Sequence, residues 1–156
     1  MRIIKTLAIL LVISACGGGG GSNAPDISDD PDLGNSSDES CSAYSSNIGN
    51  GSTFNCSIVH DNIDRQFFVY IGSGYDSNSP VLFVLHGYTS RGLWIMNYSG
   101  FQSIADDNGF IVVYPQGTLL PATGQTHWNV GGWTTSSSTD DVGFIDSLIE
   151  FLDDEY

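Results

Sequence analysis

Residues 81–92 (VLFVLHGYTSRG) place a histidine and a glycine directly after a continuous apolar run, and the chain then becomes polar. A strand that ends in this way is typical of the front half of a hydrolase active site. Hydrolysis by a nucleophile also needs a base that takes the proton of the nucleophile and an acid that orients the base. The pentapeptide G-x-S-x-G, which presents a nucleophilic serine on a strand-to-helix turn, does not occur in this sequence.

The apolar pattern predicts the elements that position this His-Gly pair. In chain order they are strands at residues 53–60, 65–71, 81–85 and 110–114, a helix at residues 98–108 and a helix opened by Thr139-Asp140-Asp141. The third and fourth runs are apolar at every position, which is typical of strands covered on both faces of a sheet. The order predicts an α/β fold, in which His86-Gly87 and Pro115-Gln116-Gly117 meet at one crevice beyond the strand ends.

A series of motifs over residues 60–156 resembles one family. The motifs are His86-Gly87 after VLFVL, the helix end ADDNGF, the strand IVVYPQG, Trp128-Asn129, and DDVGFI at residues 140–145. In this order and at these separations they resemble the secreted polyhydroxybutyrate-depolymerase-like esterases. These are α/β-hydrolases that also include feruloyl and acetylxylan esterases.

The resemblance implies the N-terminal half of an α/β-hydrolase sheet, with four strands and two helices, and serine-esterase chemistry without a cofactor. The family pattern puts the nucleophile elbow after the DDVGF helix, and the catalytic acid and histidine later still. On this basis the chain holds no catalytic residue and stops before the elbow. We expect the N-terminal fragment of an exported esterase that acts on a neutral ester-bearing polymer or polysaccharide and is inactive by itself.

The resemblance also assigns the oxyanion loop to His86, Gly87 and Tyr88. Gly87 lets the backbone turn tightly, the Tyr88 N–H is the expected oxyanion donor, and the ring of His86 orders the loop. Trp128 and Trp133 are candidates for the wall of the substrate crevice. Aromatic packing over the end of the sheet is an equally good explanation of both tryptophans.

Other polar side chains have simpler explanations than catalysis. His60 and His127 have no nucleophile or acid at a recognisable spacing, and we expect both to be solvated. Asp140 and Asp141 resemble a catalytic pair, but acidic residues also suit the first turn of a helix.

Residues 1–15 are typical of a signal peptide, with a positive start and the apolar run LAILLVI. Ile13-Ser14-Ala15-Cys16 resembles a bacterial lipobox, which implies cleavage before Cys16 and a lipid on its thiol that anchors the protein to the cell envelope. An ordinary secretory signal is the alternative. Residues 16–40 are rich in glycine, serine and aspartate, and predict a flexible tether. The esterase-like domain then covers residues 41–156.

The net charge of −14 argues against nucleic acid or an anionic polymer as a partner and suits an uncharged substrate. Of the four basic residues, Arg65 and Arg91 lie outside the signal. Cys41 and Cys56 remain after lipidation of Cys16, and export predicts that they form a disulfide rather than a metal site.

Two other functions remain open from the sequence alone. The chain could be a complete, non-catalytic surface lipoprotein that binds ligands at the end of its sheet, as the missing elbow favours. It could also be a small enzyme that uses His127 or the Asp140-Asp141 pair.

In the α/β-hydrolase strand order, the VLFVL strand lies between the FIVVY strand and the elbow strand. Because the elbow strand is missing, the VLFVL strand should have one unpaired edge, and the chain expressed without its signal should be insoluble or molten.

Overall fold

The computed structural model describes residues 7–9 and 39–156. The strands are β1 (Leu7–Ile9), β2 (Ser40–Ala43), β3 (Ser52–His60), β4 (Ile63–Ile71), β5 (Val81–Phe83) and β6 (Ile111–Pro115). The helices are α1 (Gly92–Ser99), α2 (Phe101–Asn108) and α3 (Asp141–Glu155), with a short 3-10 helix at Gly132–Thr134. The strands form one sheet in the order β1-β5-β6-β4-β3-β2.

The sheet is mixed. Strands β2, β3, β4 and β6 pair in antiparallel fashion, whereas β6 pairs with β5 and β5 with β1 in parallel. Strand β6 is buried at all five positions, as expected for an apolar run at the centre of a sheet. The β3–β4 hairpin turns at Asp61 and Asn62, which both have a positive φ, as tight hairpin turns require.

Helices cover both faces of the sheet because successive residues of a strand point to opposite sides. Ile111 and Val113 pack in one cluster with residues of α3, among them Phe144 and Leu148. On the other face, Val112 and Tyr114 belong to a second cluster, which includes Ile95 and Met96 of α1 and Ala105 of α2. Two apolar layers on the central strands therefore hold the carboxyl ends of β5 and β6 in place.

The structure differs from the sequence prediction in the helical segment after β5. The predicted helix at residues 98–108 is the end of α1 followed by α2, because Gly100 adopts a left-handed φ of 74° between them. Helix α1 begins at Gly92, where a Cβ atom would lie 2.9 Å from the Tyr114 carbonyl oxygen. Glycine at this position lets the helix start directly against β6.

The edge strand β2 is exposed at all four positions, so that apolar packing contributes little to its placement. Cys41 of β2 lies directly opposite Cys56 of β3, and the two form a disulfide. A cross-link over a loop of this length stabilises a fold by about 3 kcal/mol on the chain-entropy argument. The disulfide therefore compensates for the missing apolar contacts of this strand.

At the other edge of the sheet, β1 pairs with β5, with Leu7 opposite Val81 and Ile9 opposite Phe83. The expectation that this edge of the VLFVL strand is unpaired was therefore wrong for the chain with its N-terminal residues, because part of the predicted signal peptide pairs with it. Cys16 and nearly all of the predicted tether lie outside the described residues. Among the residues that the structure does describe, no helix is long and apolar enough to cross a membrane.

The α/β-hydrolase assignment stays a prediction, because a mixed sheet with helices on both faces is common to several folds.

Deletion of residues 1–15 should remove β1 and expose the apolar edge of β5. Exposed strand edges promote association between chains, so we expect the shortened chain to aggregate or to bind a hydrophobic dye such as ANS. Size-exclusion chromatography and thermal unfolding of the full and shortened chains provide the test. A soluble monomer of the shortened chain with a sharp, cooperative transition would contradict the prediction.

Candidate functional site

His86 follows β5 and is 2 % exposed. Its Nε2 atom lies 2.9 Å from the main-chain nitrogen of Gly117, and its Nδ1 atom lies 2.7 Å from the carbonyl oxygen of Gly87. Because the Gly117 N–H donates, Nε2 must accept and the ring proton must be on Nδ1. Burial lowers the pKa of His86, partly opposed by the hydrogen bond to Gly87. A neutral imidazole thus joins the loops that follow β5 and β6, which converge as the sequence predicts.

Gln116 connects the loop after β6 to α1, and its Nε2 atom lies 3.3 Å from the Nε2 atom of His86 in the loop after β5. Its Oε1 atom accepts a hydrogen bond from the Gly92 N–H at 3.0 Å, and its Nε2 donates to the Gly117 carbonyl at 2.9 Å. Gly117 has no room for a side chain, because a Cβ atom would clash with the carbonyl of His127. The PQG motif therefore has two local functions, a polar side-chain link and a close backbone contact.

The two candidate tryptophans have different surroundings. The indole N–H of Trp128 donates to the His86 carbonyl at 2.8 Å, and the two rings lie 5.0 Å apart. Trp128 thus packs over the loop and supports it. Trp133 is 60 % exposed, and its ring lies 4.9 Å from that of Tyr88 in an edge-to-face arrangement.

The backbone after Gly87 forms a tight turn that leaves one donor unused. The Thr89 N–H donates to the Thr126 carbonyl at 3.0 Å, and the Ser90 N–H donates to the Gly87 carbonyl at 3.1 Å. The Tyr88 N–H between them makes no hydrogen bond within the part of the chain that the structure describes. Thr89 has a φ of 66°, which a β-branched residue rarely adopts. Strained backbone of this kind is characteristic of functional loops. The residue types around Thr89 do not predict its positive φ.

Arg65 and Asp141 form a buried ion pair at 2.6 Å, which the sequence analysis did not anticipate. The second oxygen of Asp141 accepts the Asn129 N–H at 2.6 Å, and the guanidinium of Arg65 lies 3.8 Å from the centre of the Phe144 ring. Asp141 lies in the first turn of α3, as the sequence predicts, and the ion pair is an additional role of its carboxylate. The explanation by the helix start also holds for Asp140, the N-cap, whose side chain accepts the Gly143 N–H at 2.9 Å.

The expectation that His127 is solvated was also wrong. His127 is completely buried, and its Nδ1 atom donates to the Thr118 carbonyl at 2.9 Å. An isolated antiparallel bridge between Leu119 and Thr126 folds this segment back on itself and places the histidine beneath the loop. This packing depends on contacts between segments that residue spacing does not reveal.

His60 is the one histidine with a serine contact among the described residues. Its Nδ1 atom lies 3.0 Å from the hydroxyl of Ser147, which donates in turn to the Gly143 carbonyl. The serine proton is thus engaged within α3, and the hydroxyl accepts from His60, which is the reverse of an activated nucleophile. The Nε2 atom lies 3.8 Å from Asp61 and 3.9 Å from Asp140, close enough for the three side chains to share a cation. The side chain of His60 is largely buried, so the expected solvation was wrong here too.

No family model matches the chain. The chain is similar to the bifunctional acetylxylan esterase/xylanase XynS20E of Neocallimastix patriciarum, with 32% identity over 92 residues. The match covers 59% of this chain and 12% of that relative. The chain therefore has a distant and partial relation to an esterase. The narrower resemblance to polyhydroxybutyrate depolymerases and feruloyl esterases stays a prediction.

Replacement of Arg65 by methionine should leave Asp141 buried without its charge partner. We expect the free energy of unfolding to fall by about 3–5 kcal/mol, the usual cost of an uncompensated buried charge. The double variant Arg65→Met/Asp141→Asn should be more stable than Arg65→Met alone, because the unpaired charge is gone. Urea unfolding measures both, and Asp141→Asn alone completes a double-mutant cycle. Losses in the two single variants that simply add in the double variant would contradict this account of the ion pair.

His86 should remain neutral below the pH at which an exposed histidine takes up a proton. Since burial lowers its pKa in the folded state from 6.5, the unfolded chain binds the proton first as the pH falls. The stability that neutral His86 contributes is fully present above pH 6.5. It decreases as the pH falls from 6.5 to the lowered pKa, and it changes no further below that pKa. The difference in unfolding free energy between wild type and His86→Gln, followed from pH 7 to pH 5, measures it. Nitrogen NMR should show the Nδ1–H tautomer, and a ring that takes up its proton at or above pH 6.5 would refute the prediction.

Proposed function

We propose that this chain provides the oxyanion side of a serine esterase that acts on ester groups of a neutral polysaccharide. The observation that carries the proposal is the unused Tyr88 N–H, on a loop that His86 and Trp128 hold in place. An N–H that is already oriented stabilises the negative oxygen of an attacked ester without reorganisation during the reaction. The partial similarity to a bifunctional acetylxylan esterase/xylanase supports esterase chemistry in general.

The sheet order supports an α/β-hydrolase half. Strand β5, which leads to the His-Gly pair, pairs in parallel with β6 on one side and with β1 on the other. In the family to which the motifs point, the second neighbour of this strand carries the nucleophile. We propose that β1 occupies the place of that elbow strand only in the uncleaved chain, because the proposed cleavage before Cys16 removes Leu7–Ile9.

The nucleophile is proposed to lie outside these 156 residues. The sequence has no G-x-S-x-G, and the serine that contacts a histidine, Ser147, already donates its proton within α3. The second oxyanion donor in such enzymes is the N–H of the residue after the nucleophile. The first donor alone does not cleave an ester, so we expect no turnover by the isolated chain.

The proposed substrate rests on the net charge of the chain, and the proposed location rests on its N-terminal residues. A net charge of −14 disfavours anionic polymers and leaves acetylated or otherwise esterified neutral polysaccharides as the proposed substrates. The signal-like residues 1–15 and Cys16 support export and a lipid anchor on the cell envelope. The rival function, a non-catalytic binding lipoprotein, is favoured by the missing elbow alone.

The test begins with the coding sequence downstream of the Tyr156 codon, followed by expression of the product of the whole open reading frame. In an active product, Tyr88→Pro removes the N–H and should lower kcat for acetyl release from acetylated xylan by roughly 100- to 1,000-fold. Tyr88→Phe keeps the N–H and the ring, and should retain most of the activity. An in-frame G-x-S-x-G that reacts with a fluorophosphonate, together with this split, supports the proposal. A stop codon directly after Tyr156 would refute it and favour the binding lipoprotein.

A further inference from the structure

We propose that the exposed rings of Tyr88 and Trp133, called here the aromatic platform, bind one sugar ring of a neutral polysaccharide. The inference rests on the proposed function for the choice of polymer, but binding by the platform needs no catalysis. The two ring centres lie 4.9 Å apart with the planes at 80°. Tyr88 is 43 % exposed and Trp133 is 60 % exposed, so a large apolar surface of two neighbouring rings faces water.

The segment that presents Trp133 is anchored from below. Trp133 lies in the 3-10 helix Gly132–Thr134, whose last residue, Thr134, is completely buried. The hydroxyl of Thr134 accepts the Val130 N–H at 3.1 Å and donates to the Gly131 carbonyl at 2.9 Å. The indole is therefore exposed on an ordered segment. A ligand that docks on it needs to order little of the protein, which favours binding.

The same segment is connected to the buried ion pair. Asn129 donates its main-chain N–H to Asp141 at 2.6 Å and its side-chain amide to the Thr139 carbonyl at 2.9 Å. The segment that bears Trp133 is therefore held by the same contacts as the loop of His86, because Trp128, next to Asn129, donates to the His86 carbonyl. The platform and the proposed oxyanion donor are positioned by one network.

Tyr88 belongs to both sites. Its main-chain N–H is the proposed oxyanion donor, and its ring forms one half of the platform. A sugar ring that contacts the platform would therefore lie against the residue that bears the proposed donor. This continuity distinguishes the platform from Trp94, which is 47 % exposed on α1 beside Arg91.

The chemistry of the platform fits a neutral sugar better than an acidic polymer or a polyester. Sugar rings have apolar C–H faces, which pack on aromatic rings, and hydroxyls at their edges. At the rim, the hydroxyls of Tyr88 and Thr123 lie 3.0 Å apart and offer hydrogen bonds that a polyester, which has no hydroxyls along its chain, would not use in the same way. Arg65 is buried against Asp141, and the chain is strongly acidic, so an anionic polymer would be repelled.

The experiment titrates the full chain with xylohexaose, a neutral linear sugar, and follows binding by calorimetry and by the NMR signals of the indole N–H groups. We expect the signal of Trp133 to shift, and Trp133→Ala to weaken binding at least tenfold. Trp133→Phe, which keeps a ring, should recover part of the affinity. Trp94→Ala is the matched control and should bind like wild type. Thermal unfolding of each variant separates loss of binding from loss of the fold.

Two outcomes would overturn the platform. One is xylohexaose binding that Trp133→Ala leaves unchanged, or no binding at all by the folded chain. The other is tighter binding of polygalacturonate or of an oligomer of 3-hydroxybutyrate than of xylohexaose. The readout is independent of ester cleavage, so the two proposals fail separately. An inactive whole product with Trp133-dependent binding removes only the esterase, and an active product without such binding removes only the platform.

Discussion

The buried ion pair between Arg65 and Asp141 is the contact on which the rest of the site depends. It joins β4 to the first turn of α3, and the guanidinium also reaches the Gln116 carbonyl at the end of β6, at 3.4 Å. Two charges removed from water are costly unless their distance is short and their remaining polar atoms are bonded. Asp141 meets this requirement through the Asn129 N–H, and Arg65 gains partial compensation from the Phe144 ring. The pair therefore fixes β4, the end of β6 and the loop at Asn129 relative to α3.

From this pair, a continuous series of contacts leads to the unused donor. Asp141 holds Asn129, and the preceding residue, Trp128, donates to the carbonyl of His86 and packs on its ring. His86 in turn connects Gly87 to Gly117, and the turn that follows presents Tyr88. The hydrogen bonds in this series are short and join groups that are partly or wholly buried, where such bonds are stronger than in water. The ring of His86 must be neutral to accept the Gly117 N–H. Its lowered pKa therefore stabilises this hydrogen bond, and we assign the ring no role in proton transfer.

The sequence predicted the elements whose apolar pattern is set by burial alone. Strands β5 and β6 and helix α3 are recognisable because burial on two faces, or on one helical face, determines composition residue by residue. The convergence of the His-Gly and PQG loops follows from parallel strands that end at the same edge. The break at Gly100 was missed because a single glycine in a helical pattern is compatible with an interior position. The burial of His127 and the Arg65–Asp141 pair join segments far apart in the chain, and no local pattern encodes them.

The negative net charge of the chain opposes a further negative charge at the proposed site. The Arg65–Asp141 ion pair reduces this effect locally, because it neutralises a carboxylate near the site. A chain with a net charge of −14 is a poor environment for a developing oxyanion, since each unpaired carboxylate nearby raises the energy of a negative oxygen. Asp141 is close enough to His86 to act on the pKa of the ring, and is therefore close to the loop that bears Tyr88. Its charge is cancelled by Arg65, and His86 itself is neutral. The one carboxylate shown to act on His86 in the support of the proposed Tyr88 donor is therefore paired with a cation.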